Sequence, residues 1–347
     1  MVPDWELLLE MHQPHNKPEI KIAGIKQVPA HDHDDHKSDS GHHHHEHHHH
    51  HHSKSTQFRK FLLRLVHSNA YIAIPILAIT TATYMSLGSL NFNGTYLAFL
   101  FFSTLLLYPL HRLVGVKMTI PVEFTKAQRA VDTHPLLTQM AIAIGLIGTA
   151  FFTFRLNYFT IQLLAPLGII SLTYSLPIIP TPSGWKRLRD IKGIKIYAIS
   201  LVVAFTTSTI PLLLIGNMTV TDIVLLGIQR FIFILAITIP FDVRDAIMDK
   251  RWDLKTIPLL IGNAKAINLA ITLVNLTTVI AIFQFFYTHL LGLEIIIAIS
   301  LANLWATFIL WKFRENNSPL YNAFLVEGTM VVQFAFITIA SVGITLL

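Results

Sequence analysis

The chain has 347 residues, of which 52% are hydrophobic and only 13% charged, and its mean hydropathy is +0.54. A soluble domain carries about 25% charged residues, so this balance excludes an ordinary soluble protein and points to a polytopic membrane protein. The absence of Cys excludes a disulfide framework and a thiolate metal site, and no nucleic-acid partner is expected.

Residues 1–56 are polar and low in complexity. Between His31 and His52, 13 of 22 residues are His, interspersed with Asp32, Asp34, Asp35, Asp39 and Glu46. Such a tract cannot bury a core, so 1–56 is expected to be a disordered cytoplasmic tail. Imidazoles take Zn²⁺ or Ni²⁺ readily, so metal binding by the tail is one reading; a neutral tail or a purification tag is the other. No basic segment leads into an apolar core here, so a cleaved signal peptide is not expected. Gln57 to Arg64 reads as a short basic lead-in at the membrane surface.

Nine apolar spans follow, each near the 20 or so residues that cross a bilayer: 69–89, 94–113, 136–154, 158–179, 195–215, 221–241, 265–287, 292–311 and 327–347. Loops after spans 1, 3, 5 and 7 are short and nearly uncharged. Those after spans 2, 4, 6 and 8 are longer and basic. From Gln57 onward, 19 of 21 Lys and Arg fall on the face that holds the lead-in and the basic loops. The positive-inside rule makes that face cytoplasmic, with the N-terminus inside and the C-terminus outside. The expected architecture is all-α: a nine-helix transmembrane domain over 57–347 in the cytoplasmic (inner) membrane.

The segment after span 6, Pro240–Pro258, reads PFDVRDAIMDKRWDLKTIP. Asp242, Asp245 and Asp249 are spaced i, i+3, i+7, which is one helix face. Three carboxylates so placed repel one another unless a cation sits among them. Hard oxygen donors suit Mg²⁺, which binds through one or two carboxylates together with substrate phosphates. Arg244, Lys250, Arg251 and Lys255 add positive charge for an anion beside the metal. The segment reads as a Mg²⁺–diphosphate site or, alternatively, as a solvated loop of self-neutralising charges.

The loop after span 4 carries Lys186, Arg187, Arg189, Lys192 and Lys195 around one acid, Asp190. It reads either as a diphosphate contact or as a topology signal touching anionic headgroups. Tyr174 reads as an aromatic-belt residue. His111 and Arg112 close span 2 and either face an anion or anchor the helix end. Arg230 is a charge inside span 6, too far along the helix to share a phosphate with Asp242, and either buried or snorkelling outward. Glu327 opens span 9, where an acid suits the helix dipole.

These residues resemble the UbiA superfamily of intramembrane prenyltransferases. The likeness rests on FDVRDAIMDKRWDLKTIPLLIGNAKA after span 6, the YSLP–basic loop after span 4, LYPLHRL closing span 2, and YNAFLVEGTMVVQ in span 9. It implies transfer of a polyprenyl group from its diphosphate to an aromatic or lipid acceptor, dependent on Mg²⁺. It implies Asp242, Asp245 and Asp249 as catalytic metal ligands. Arg244, Lys250, Lys255, Lys186, Arg187, Arg189, His111 and Arg112 are then candidate contacts to the diphosphate. Membrane lipids, a polyprenyl diphosphate and a hydrophobic acceptor are the implied partners.

One departure bears on activity. The family's first Asp-rich motif would fall near Tyr108–Val116, yet this stretch is YPLHRLVGV, and no Asp or Glu occurs from Ser53 to Val122. Half of the usual carboxylate cradle is absent. The alternative is therefore a chain that keeps the fold and has lost ordinary transferase activity. A metal transporter with a His-rich buffering tail is a third reading, but it would need acids or His at mid-span, and the spans carry none.

Overall fold

In a bilayer the backbone must satisfy its own hydrogen bonds, so the apolar runs become helices. The computed structural model describes residues 70–89, 91–117, 135–182, 184–314 and 321–345. The tail 1–56, the lead-in 57–64 and most of the loop after span 2 lie outside the described residues.

The spans become α1 (Ala73–Ser86, entered through a 3₁₀ turn), α2 (Gly94–Lys117), α3 (Pro135–Thr153), α4 (Tyr158–Ser175), α5 (Lys195–Ile215), α6 (Val220–Arg251), α7 (Asn263–Tyr287), α8 (Leu293–Phe313) and α9 (Thr329–Thr345). Among the described residues eight helical segments are long and apolar enough to cross a membrane, and α1 is a shorter apolar ninth. The protein is thus an integral membrane protein. A small antiparallel hairpin, β1 (Ile179–Thr181) with β2 (Gly184–Lys186), stands in the basic loop after α4. One helical turn, Ile257–Ile261, precedes α7.

Neighbours in sequence pack as neighbours in space. α6 lies between α5 and α7, α8 follows α7, and α9 returns to α1. α3 packs on α2 through two glycines: a Cβ on Gly145 would come within 2.6 Å of the Leu106 backbone nitrogen, and one on Gly148 would meet the Phe102 ring. Small residues at such contacts let helices approach closely in lipid. α6, α7 and α8 meet the same way, through Ala236, Ala266, Ala270 and Ala306. The main core joins α1, α5, α6, α8 and α9 through Ile79, Leu212, Phe233, Ile237, Ile299 and Ile337. Outward faces remain apolar, as at Ile147, Phe286, Leu304 and Ile339.

Two boundaries differ from the sequence reading. Span 6 does not end at 241; α6 runs 32 residues to Arg251, about 48 Å, so the Asp-rich segment is helix and not loop. Hydropathy stops at the first charges, but the backbone has no reason to. A capping box of Thr219 and Asp222 starts the helix, and Lys250 and Arg251 complement its C-terminal dipole. Span 9, read as 327–347, is preceded by a π turn, Asn322–Val326, that extends its helical stretch N-terminally. A second π turn, Phe205–Thr209, interrupts α5.

Candidate functional site

The Asp face of α6 is built against the first residue of α5. Gly193 turns with φ +78°, and Lys195 then enters α5 with its side chain buried. Its Nζ stands 3.0 Å from Asp242 Oδ1, 2.9 Å from Asp249 Oδ2 and 3.9 Å from Asp245 Oδ2. The three acids predicted to share a face do share it, and the cation among them is an ammonium of this chain. The side chains of Asp242 and Asp249 are only 1% and 5% exposed. Arg244 donates to both oxygens of Asp245, at 2.7 and 3.1 Å, with its guanidinium over Phe241. One oxygen, Asp242 Oδ2, stays buried without a partner.

Cationic side chains close the other side. The hairpin leads into a 3₁₀ turn, Leu188–Asp190, pinned by Arg187, which donates to both oxygens of Asp190 at 2.7 and 2.8 Å. The turn aims Arg189 inward, against His111 at the end of α2 and over the Tyr174 ring. His111 and Tyr174 rings lie 5.2 Å apart. Burial opposes the charge of Arg189, yet Tyr174, Asp190, Asp245 and Asp249 together hold its pKa above the ordinary guanidinium value. Outside this cluster, Lys192 donates to the exposed Asp253, tying the turn to the end of α6 and depressing that carboxyl's pKa. Arg112 donates to Tyr108 Oη at 3.0 Å and stacks on its ring.

The predicted residues therefore divide. Asp242, Asp245, Asp249, Arg244, His111 and Arg189 meet at one end of the bundle, with Arg112 within electrostatic reach of His111. Arg187 is spent on Asp190, Lys186 stands in the hairpin, and Lys250 and Lys255 are exposed. Tyr174, expected in an interfacial belt, packs inside the cluster. Three donors there are buried and unpartnered: His111 Nδ1, Arg112 Nη1 and Arg189 Nε.

Sequence reasoning missed two members. In the sequence Lys195 is one of five basic loop residues, and nothing in its neighbourhood marks it as the counter-ion. Glu327, which by its place at the start of span 9 suits the helix dipole, is the second. It follows the π turn, ahead of Gly328, where a Cβ would meet Phe324 O at 2.0 Å, so only Gly fits. Glu327 lies within reach of the Arg112 and Arg244 charges, and its Oε2 is buried without a partner. It brings a carboxylate to the side where α2 has none.

No family model matches this sequence, and no curated protein matches it. Solved structures do match in fold. A UbiA homologue from Aeropyrum pernix K1, in its apo form, aligns with TM-score 0.55 at 13% identity, over 79% of this chain and 98% of that one. A digeranylgeranylglyceryl phosphate synthase aligns at TM-score 0.50 and 14% identity, over 83% and 98%. A UbiA homologue from Archaeoglobus fulgidus, bound to GPP and Mg²⁺, aligns at 0.50 and 16%, over 80% and 99%. The chain has the fold of these UbiA homologues.

Proposed function

We propose that this UbiA-fold chain is a membrane prenyltransferase that takes a prenyl diphosphate at the Asp242–Lys195–Arg189 end of the bundle and passes the prenyl group to an apolar acceptor. The observation that carries the reading is the set of buried, unpartnered donors on His111, Arg112 and Arg189, gathered beside a face of three carboxylates. Buried donors without partners are costly, and a polyanion satisfies several at once. In the reaction the C1–O bond to diphosphate breaks and its electron pair leaves with the phosphate. The acceptor's nucleophilic atom bonds to C1 and loses its proton. Arg189, Arg112 and Lys195 take up the charge that develops on the leaving group, in a site that excludes water.

Mg²⁺ suits the donor chemistry: all three acids offer hard oxygens, and Asp242 Oδ2 is free to accept. Among the described residues no group of three acid or His side chains is arranged as a ready metal site, because Lys195 sits among the carboxylates. Asp242 and Asp249 would hold the ion, which when bound neutralises charge on the diphosphate. Lys195 then competes with it or turns to the phosphate.

The test is prenyl transfer by purified protein, with labelled prenyl diphosphates, a panel of aromatic and lipid acceptors, and Mg²⁺ present or chelated. Transfer that is lost in Asp245→Asn supports the reading. Binding of prenyl diphosphate without transfer to any acceptor favours the alternative, a chain that keeps the fold without ordinary transferase activity. The lack of any acid from Ser53 to Val122 is the observation behind that alternative.

In the membrane we place this end of the bundle at the cytoplasmic surface, on the strength of the 19 basic residues of that face. For the His-rich tail, loose Zn²⁺ or Ni²⁺ binding through its imidazoles is proposed.

A further inference from the structure

The prenyl chemistry leaves one buried cation unused. Arg230 stands in α6 twelve residues before Asp242, about 18 Å along the axis, in the other half of the bundle. Its Nη2 donates to Thr83 Oγ1 at 3.0 Å. That hydroxyl's own proton goes to the Thr207 carbonyl in the π turn of α5, 2.8 Å away; four residues on stands Pro211, which has no N–H to offer that carbonyl. Arg230 Nη1 is buried and has no partner. A guanidinium keeps its charge and offers five N–H donors, and no carboxylate among the described residues faces this one.

Arg230 lines a cavity of ≈ 30 Å³ whose polar wall also includes Thr83, Ser86, Ser208, Gln229 and Gln333. Gln229 is committed, donating to the Thr277 carbonyl at 2.9 Å. Gln333 Oε1 has no partner, and its amide can turn either end toward a ligand. Leu291, Ile299 and Ile337 close the remainder with apolar surface. A charge buried at membrane depth is normally paired, because leaving it alone costs several kcal/mol.

We propose that this cavity is a binding site for a small monovalent anion, halide or carboxylate in size, with Arg230 as its counter-charge and the Ser208 hydroxyl as a further donor, the Ser86 hydroxyl being committed to the Thr83 carbonyl at 2.9 Å. The volume holds the equivalent of about two waters. That excludes a diphosphate or an aromatic acceptor, so the site is not a second substrate pocket. The anion joins α1, α5, α6 and α9 at one point and stabilises the half of the bundle that the diphosphate does not touch.

The experiment is thermal unfolding of the purified full chain in detergent, at constant ionic strength, in chloride, bromide, formate or bulky isethionate. The expected result is a saturable rise of a few degrees with the small anions over isethionate. A response to halide identifies a free ion as the ligand; a response to formate alone identifies a carboxylate group. Arg230→Met should abolish the shift. Should that variant fail to fold, Ser208→Val, which removes one donor and fills part of the cavity, should reduce it. Wild-type protein whose unfolding temperature is the same in all four anions would overturn the proposal and leave the cavity to water. None of these readings depends on prenyl transfer.

Discussion

One helix, α6, carries two buried charge sites that are solved in opposite ways. At its Asp end the acids, Lys195, Arg244 and Arg189 come from three segments and balance within the chain. Twelve residues earlier Arg230 has a hydroxyl for a partner and, among the described residues, no acid. Both sites adjoin a π turn, Asn322–Val326 before Glu327 and Phe205–Thr209 beside Thr83. The difference teaches that burial alone does not say what a charge is for. Its partners do: a balanced cluster with spare donors is ready to exchange partners with a substrate, while a lone cation awaits an anion.

The sharpest way to break the comparison is to unbalance the Asp end. Lys195→Met leaves three buried carboxylates without their ammonium and should cost about 3–5 kcal/mol of stability. Denaturant or thermal unfolding measures this, and millimolar Mg²⁺ should restore part of the loss because the trio then has a replacement cation. A variant as stable as the wild type would show that Lys195 is not the counter-ion.

Asp245→Asn should keep the fold, since Arg244 retains an oxygen to bind, but lower prenyl transfer by about 100-fold. Single-turnover assays with labelled substrate check this. Asp253→Asn, at an exposed position, should leave the rate untouched.

A smaller effect is expected on the cationic side. Arg189→Met or His111→Gln removes one donor to a charged ligand, worth about 1.5–3 kcal/mol, so affinity for prenyl diphosphate should fall about 10- to 100-fold. Titration of a prenyl diphosphate into the purified variants measures it. Lys250→Met and Lys255→Met, at exposed positions, should change affinity less than about threefold. Smallest of all, Arg230→Met should leave the transfer rate within about twofold, since it sits about 18 Å from the Asp face. A large loss there would join the two sites into one.

Much of this was legible from composition and spacing. Apolar runs marked the helices, because a backbone in lipid has few alternatives. The i, i+3, i+7 pattern marked the Asp face, because helix geometry is local. What could not be read was pairing across helices. Lys195 lies 54 residues from Asp249, Arg189 lies 78 from His111 and Thr83 lies 147 from Arg230. No periodicity links such positions. Glu327 was invisible as a site residue for a related reason: a π turn and a close Gly328 contact carry it toward Arg112 and Arg244, and neither changes the hydropathy of the segment.

By itself, then, the sequence determined a polytopic helical membrane protein and the clustering of three acids on one face, since both follow from short-range periodicity and from the cost of exposing backbone to lipid. Only the tertiary structure decided which cation stands among those acids, which donors remain unpartnered beside them, and that Arg230 is enclosed with no carboxylate beside it among the described residues. Those are outcomes of which helices pack together and at what height, and packing is a property of the whole bundle.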